Sequence, residues 1–287
     1  MTLRYDTISF LSDYGLADEF VGVVKSVIRS VAPEVVVVDI THDISPHDVR
    51  GGGLALARSA QYLMPGVVLA VVDPGVGSDR RAVAVEVGDG TSVLVGPDNG
   101  LLAPAVAMVG GASRAVELTA EHYHLASLGP TFAGRDVFAP VAAHLCRGAD
   151  LADVGTPIPV HSLTPGVVPV SRVDGERVLA EVLWIDRFGN VQLNLDPADI
   201  EPLGNELRLT AGDVGRNARR VGSYSDVGGG DLGVLVDSYG LVAVAANRGS
   251  AAMELNCVEG DAITVESGGS GLATPVQLQP RPSEARE

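Results

Sequence analysis

Short aliphatic runs that alternate with helix-period segments constrain this chain more than any other feature. Residues 8–11, 35–40 and 67–72 are near-continuous apolar stretches of strand length, the pattern of strands buried on both faces. Between the first two, Phe20, Val23, Val24, Val27, Ile28 and Val31 recur at helical spacing over 19–31. Residues 50–63 read as a second helix, its start weakened by the glycines at 51–53. Residues 82–87 and 92–95 flank Gly88-Asp89-Gly90 as a hairpin would. A helix is expected over 136–146, capped by Asp136, with Pro140 in its first turn. Strand–helix alternation of this kind predicts an α/β fold: an N-terminal, mostly parallel α/β sheet domain over residues 1–160.

The pattern changes after about residue 155. Pro157, Pro159, Pro165 and Pro169 mark a break, and a linker is expected at 161–172. Beyond it come strand-length runs at 177–185, 191–195, 206–210, 233–236, 241–245 and 262–265, with turn residues between them and no long helix. This spacing predicts a small antiparallel C-terminal β-barrel over 173–273. Three prolines and mixed charges in 274–287 predict a disordered tail.

Composition narrows the function classes. A hydrophobic fraction of 46% with only 4% aromatics implies an aliphatic core. A net charge of -16 repels nucleic-acid backbones and anionic lipid, so no nucleic-acid or membrane partner is expected. Cys146 and Cys257 lie far apart and read as free buried thiols, as suits a reducing compartment. No signal-like segment opens the sequence and no apolar run reaches the roughly 18 residues of a membrane span. A cytoplasmic location is the expectation.

Asp13, Asp39, Asp73 and Asp98 each fall at or just past the end of an apolar run. Open α/β sheets bind ligands at the carboxyl ends of their strands, so four acids there would line a polar crevice. Asp73 opens a rigid Asp-Pro-Gly turn, and Arg80 lies seven residues on, placed to fold back toward it; a surface ion pair would satisfy the same pattern. The spacing of a phosphate loop is absent. Asp13, in Ser12-Asp13-Tyr14-Gly15, could accept both hydroxyls of a ribose or simply form a turn. Thr131 to Asp136 opens a helix whose amides would face such a crevice. In Asp186-Arg187-Phe188-Gly189-Asn190, Phe188 could stack on a base and Asn190 read its polar edge; an ordinary hairpin turn is the alternative. His42 and His47 flank Asp43, but no His-x3-His or Cys-x2-Cys pair exists, and no metal site is expected.

Taken together, these segments resemble a known family. Phe10-Leu11-Ser12-Asp13-Tyr14-Gly15, Asp39-Ile40-Thr41-His42-Asp43-Ile44, Val72-Asp73-Pro74-Gly75-Val76-Gly77, Gly96-Pro97-Asp98-Asn99-Gly100-Leu101-Leu102, Phe132-Ala133-Gly134-Arg135-Asp136, Asp186-Arg187-Phe188-Gly189-Asn190 and Asn247-Arg248-Gly249-Ser250 occur in the expected order. They resemble the S-adenosyl-L-methionine hydrolases, or SAM hydroxide adenosyltransferases, relatives of the SAM-dependent fluorinase and chlorinase. The resemblance spans residues 6 to about 268. It implies a homotrimer with the ligand between the N-domain of one subunit and the C-domain of the next. It also implies hydrolysis of S-adenosyl-L-methionine to adenosine and L-methionine by attack of water or hydroxide at C5′, without a cofactor. Under the resemblance Asp13 takes the ribose diol and Asp186 the methionine ammonium. Phe188, Asn190 and the backbone near Arg248 meet adenine, and Ser238 and Tyr239 lie near the methionine carboxylate. Asp73 and Arg80 match two members of an Asp-Arg-His catalytic set.

The third member is missing. Where the family reads Phe-His-Gly-Arg-Asp, this chain has Ala133, which can neither hydrogen-bond nor relay a proton. An isolated alanine in an otherwise complete motif has the form of a knockout, and it predicts impaired turnover with binding intact. A non-catalytic S-adenosyl-L-methionine- or adenosine-binding protein is the alternative. A SAM-dependent halogenase is disfavoured, because Asp73 would repel a halide where the halogenases carry a tyrosine, and the fluorinase's long insertion before Pro97-Asp98-Asn99-Gly100-Leu101 is absent.

Overall fold

The computed structural model describes residues 3–268, which form two compact units dividing between Val168 and Pro169. The first unit runs β1 (Thr7–Ser12), α1 (Phe20–Val31), β2 (Val36–Thr41), α2 (Val49–Ala60), β3 (Val67–Val71), β4 (Ala82–Val87), β5 (Ser92–Pro97), α3 (Ala103–Met108), β6 (Ala112–Glu117), α4 (Ala139–Cys146) and β7 (Thr156–Ile158). Its sheet has the order β2-β1-β3-β5-β4-β6-β7. The pairs β2–β1, β1–β3 and β3–β5 are parallel and the rest antiparallel, so only β4 and β7 run against the others.

Period-two burial explains the layers. Ile8, Phe10, Val67, Leu69 and Val71 face α1 and α4 on one side. Leu11, Val68, Ala70 and Val72 face α2 and α3 on the other. A strand buried on both faces must be apolar at successive positions, and β1 and β3 are buried along their whole length. Strand β2 departs from its expectation. Its valines match the sequence pattern of a central strand, yet it pairs only with β1 and leaves Val36 58% and Val38 44% exposed. A run of valines records β-propensity but not position in the sheet.

The start of the last long helix also differs from expectation. A π-helical turn at Gly134–Phe138 precedes α4. Asp136 does not cap it: its carboxylate accepts from Arg135 Nε at 2.6 Å, inside the turn. Pro140 does lie in the first turn of α4, where its missing N–H costs no helical bond.

Of the stretch read as a linker, residues 162–166 pack on the first unit. Arg81 Nη1 donates to Ser162 Oγ at 3.2 Å, and Thr164 N–H to Asp98 Oδ1 at 2.8 Å. The second unit contains β8 (Arg172–Asp174), β9 (Arg177–Ile185), β10 (Val191–Leu193), α5 (Pro197–Ile200), β11 (Glu206–Ala211), β12 (Val214–Arg220), β13 (Leu232–Val236), β14 (Val242–Ala246), α6 (Ala251–Leu255) and β15 (Ala262–Ser267). The long β9 pairs with β15 along its first half and with β10 along its second. That closes a seven-stranded barrel, with β8 added beside β9. Closure removes the free edges a small sheet would otherwise expose. The barrel is antiparallel but for β12–β13. Strand β12 escaped the sequence pattern because Arg216, Asn217, Arg219 and Arg220 leave only Ala218 buried in it.

Both cysteines are free and buried, and burial pushes the Cys146 thiol up to about 12. Among the described residues no helix is long and apolar enough to cross a membrane. The tail at 274–287 lies outside the described residues.

Candidate functional site

Parallel pairing of β1 with β3 brings the residues after them to one rim. Asp13 follows β1 and its backbone N–H donates to Val71 O at 3.4 Å. Asp73 follows β3 after Val72. Asn99 braces that strand end, donating from Nδ2 to Val72 O at 2.9 Å and accepting from Leu101 N–H at 3.2 Å. The Asp-Pro-Gly turn then returns Arg80 onto Asp73. Nε donates to Oδ1 at 2.8 Å and Nη2 to Oδ2, a bidentate pair in which Asp73 is 6% and Arg80 15% exposed. The guanidinium also lies 5.2 Å from the Phe138 ring centroid. Fork geometry fixes the carboxylate plane against that of the guanidinium.

A cavity of about 260 Å³ opens beside this pair, lined among others by Asp13, Tyr14, His47, Asp73, Phe132 and Ala133. Aromatic rings build its wall. Tyr14, Phe20 and Phe132 meet pairwise at centroid distances of 5.1–5.7 Å, two of the contacts edge-to-face. Tyr14 is half-buried, and desolvation first, then the charges of Asp13 and Asp73, push its phenol up. It therefore stays a neutral hydroxyl across the working pH range. Asp13 Oδ2 accepts the His47 backbone N–H at 2.9 Å, and both residues line the cavity.

Two of the four strand-end acids are occupied elsewhere. Asp39 lies within β2, not past its end. It accepts from Lys25 Nζ at 2.6 Å and stands 3.0 Å from His42 Nε2. Burial alone would raise Asp39, but the hydrogen bond from Lys25 and the close approach of His42 together hold its carboxyl below the usual range. The His42 contact is off-line for a directed hydrogen bond. His42 Nδ1 meets the buried Ser12 Oγ at 2.8 Å, so this histidine is a packing and hydrogen-bonding residue of the core. Asp98 accepts from Arg81 Nε at 2.9 Å and from Thr164 N–H, clamping 162–166 to the sheet. Of the four, Asp13 and Asp73 remain for a ligand.

In the second unit, Asp186 organises its own turn. Oδ1 accepts from the backbone N–H of Phe188 and of Asn190, each at 2.9 Å, and Oδ2 from Asn190 Nδ2 at 2.8 Å. Gly189 has φ +82°, and an added Cβ would fall 2.2 Å from Ser250 Oγ. Only glycine permits that approach, which docks the 186–190 turn on the start of α6, where Ser250 Oγ accepts from Met253 N–H. Phe188 is left 72% exposed. Asp237, which sequence reasoning missed, does for Ser238 and Tyr239 what Asp186 does for its turn. Its Oδ1 accepts from Tyr239 N–H at 2.8 Å and Leu241 N–H at 3.1 Å, and its Oδ2 from the buried Gln192. Burial raises the Tyr224 phenol, helped by the charges of Asp186 and Asp237. Arg248 is exposed with φ +55°, beside the Ala246–Gly249 bridge.

Gly134 gives a direct check on the first cavity. A Cβ there would fall 2.1 Å from Tyr14 Oη and 3.1 Å from Tyr14 Cζ. We expect Gly134→Ala to destabilise the protein by about 1–3 kcal/mol. Tyr14→Phe removes the closest atom, so the penalty should largely vanish in that background. A double-mutant cycle by chemical denaturation measures this; additive losses would place the strain elsewhere.

Comparison with known proteins agrees with this architecture. The family model described as the SAM hydroxide adenosyltransferase N-terminal domain matches residues 8–155, and that of the C-terminal domain matches 180–264. A protein of Salinispora tropica named (R)-S-adenosyl-L-methionine hydrolase is 48% identical over 261 residues, covering 91% of this chain and 98% of its own. One of Thermus thermophilus with the same name is 40% identical, covering 88% and 96%. The crystal structure of an uncharacterized conserved protein from Thermotoga maritima superposes with a TM-score of 0.82 at 35% identity, over 90% of this chain and 99% of that one. With both domains matched in order and close relatives aligned over nearly their full length, this chain belongs to the SAM hydroxide adenosyltransferase family.

Proposed function

We propose that this protein hydrolyses S-adenosyl-L-methionine to adenosine and L-methionine, and that the half-buried Asp73–Arg80 pair beside the Asp13 cavity is the observation that carries the reading. A sulfonium leaves as a neutral thioether, so the leaving group needs no proton. The demand falls on the nucleophile. Arg80 stabilises developing hydroxide character, and Asp73 orients the water or takes its proton. The C5′–O bond forms as the C5′–S pair returns to sulfur, and one proton is released.

Residue roles follow from this reading. Asp13 accepts the ribose hydroxyls. Asp186 spends three acceptor positions on its own turn, so what it offers the methionine ammonium is its charge and a remaining lone pair. Asn190 commits its amide N–H to Asp186, which leaves its carbonyl to accept from the adenine amino group. Phe188 stacks on the base, with backbone near Arg248 at its edge. Ser238 and Tyr239, held by Asp237, receive the methionine carboxylate. Ribose and base contacts thus belong to different units, and we propose a homotrimer in which the ligand bridges the N-domain of one subunit and the C-domain of the next. A halogenase reading is opposed by the carboxylate of Asp73 at the attacking position.

Ala133 supports one competing reading, that the chain binds its ligand without turning it over. Three measurements decide among these proposals. Sedimentation should give a trimer of about 90 kDa, three times the 29.5 kDa chain; a monomer that binds adenosine tightly would remove the shared site. Asp13→Ala should weaken adenosine binding by at least about tenfold in calorimetry, since it deletes charge-assisted bonds. Ala133→His should raise adenosine formation by at least about tenfold with little change in adenosine affinity. That assay is run with each sulfonium epimer, because the relatives are named for the (R) form. Binding of both epimers without product from either variant would favour the non-catalytic reading.

A further inference from the structure

Tyr14 brings a phenol hydroxyl to the cavity without giving it a partner. Its ring is held by edge-to-face contacts with Phe10 at 6.5 Å and Phe132 at 5.7 Å, and by a tilted contact with Phe20 at 5.7 Å. Its backbone N–H donates to Ser12 Oγ at 3.3 Å. These contacts carry Oη to Gly134, where a Cβ would fall 2.1 Å from it. Gly134 is buried and begins the π turn, so a side chain there would have to displace the hydroxyl. Tyr14, Ala133 and Gly134 line the same cavity, of about 260 Å³, as Asp13 and Asp73. The hydroxyl thus stands against the residue that follows position 133, on a wall it shares with the carboxylate of the Asp73–Arg80 pair. Among the described residues Oη has no hydrogen-bond partner, yet it is not sealed from solvent. Asp73 is engaged by Arg80, and Asp13 Oδ2 by the His47 N–H. Both acids can only accept. A water that donates to one of them needs a donor to its own oxygen before its position is fixed. Thr131 and His47, the other neutral polar side chains of this wall, are exposed; the Tyr14 hydroxyl is the donor set on a packed ring.

We propose that the Tyr14 hydroxyl donates a hydrogen bond to the oxygen that attacks C5′, and to that same oxygen once it has become the 5′-hydroxyl of adenosine. The inference deepens the hydrolase reading above and rests on it. A lone pair of the water oxygen forms the C5′–O bond, the C5′–S pair returns to the methionine sulfur, and one water proton is released. The phenol keeps its own proton throughout. Desolvation, then the charges of Asp13 and Asp73, push the phenol up, with Arg80 acting the other way, so the group donates and does not ionise. A fixed neutral donor suits an oxygen that gains negative character as its proton leaves, and it adds no positive charge beside the sulfonium. Gly134 then serves the chemistry as well as the packing, because its missing side chain is what admits the hydroxyl.

The test uses the full chain as the parent, Tyr14→Phe and Gly134→Ala. Calorimetry compares adenosine with 5′-deoxyadenosine, which lacks only the 5′ oxygen, and single-turnover adenosine formation is followed from S-adenosyl-L-methionine. The parent should bind adenosine at least about threefold more tightly than 5′-deoxyadenosine. Tyr14→Phe should remove that preference through adenosine alone, leaving 5′-deoxyadenosine within about twofold, and should slow adenosine formation by at least about tenfold. Gly134→Ala crowds the hydroxyl without deleting it and should lose the preference too, which gives the same readout if the phenylalanine variant does not fold. A preference that survives in Tyr14→Phe overturns the proposal, and so does equal weakening of both ligands, which marks a packing role for the ring. Loss of the preference with no loss of rate overturns the part in the attack. An unchanged preference with turnover in every form removes the Tyr14 contact and leaves the hydrolase reading standing. A preference lost in Tyr14→Phe with no adenosine formed by any form keeps the contact to the 5′-hydroxyl and removes the hydrolase reading. A parent that binds neither ligand removes both.

Discussion

The central strands of the first sheet must bury both faces, and the rest of the structure follows from that constraint. Two successive apolar side chains, such as Leu69 and Ala70, need helices on opposite sides. Helices on both faces come from crossover connections, and crossovers make neighbours parallel. Parallel neighbours in turn end at the same rim. Asp13 and Asp73 are thus neighbours in space because Ile8 pairs with Val67 five and six residues earlier. The chemistry at the rim is set by core residues that never touch a ligand.

Charge pairing then decides which acids remain available. Asp73 and Arg80 neutralise each other in a nearly closed space, where an unpaired carboxylate would be costly. Their bidentate bond fixes the guanidinium while leaving further donors free, since Arg has five and the pair uses two. Asp98 and Asp39 are equally well paired, but their partners are Arg81 with Thr164 and Lys25 with His42, which staple a chain segment and a helix to the sheet. Four acids that look alike in the sequence therefore divide into two that build the sheet's surroundings and two that face a cavity.

That division marks the boundary of what the sequence reveals. The central strands were legible because burial on both faces leaves an uninterrupted apolar run, and the hairpin at 82–97 because its turn chemistry is local. The Arg80 return was legible because a Pro-Gly turn has few exits. Strand β2 misled because exposed valines read the same as buried ones, and β12 was invisible because its arginines mask the alternation. Asp136 looked like a cap because a π turn and an α-helical start share their residue types. Asp237 had no signal at all, because it acts through Gln192, far along the chain. Tyr14 was visible only as a motif residue, and its packing against Gly134 was not.

Position 133 is where fold and chemistry separate most cleanly. The cavity beside it is shaped by Tyr14, Phe20 and Phe132, by the close approach of Gly134 to Tyr14, and by the Leu125–Asp136 bond. None of these uses the side chain at 133. A methyl group at 133 leaves those walls supported and borders two cavities. Ligand recognition depends on residues whose positions the core fixes, whereas proton transfer depends on the groups that reach the water. A chain can therefore lose the second property at one residue while keeping the first.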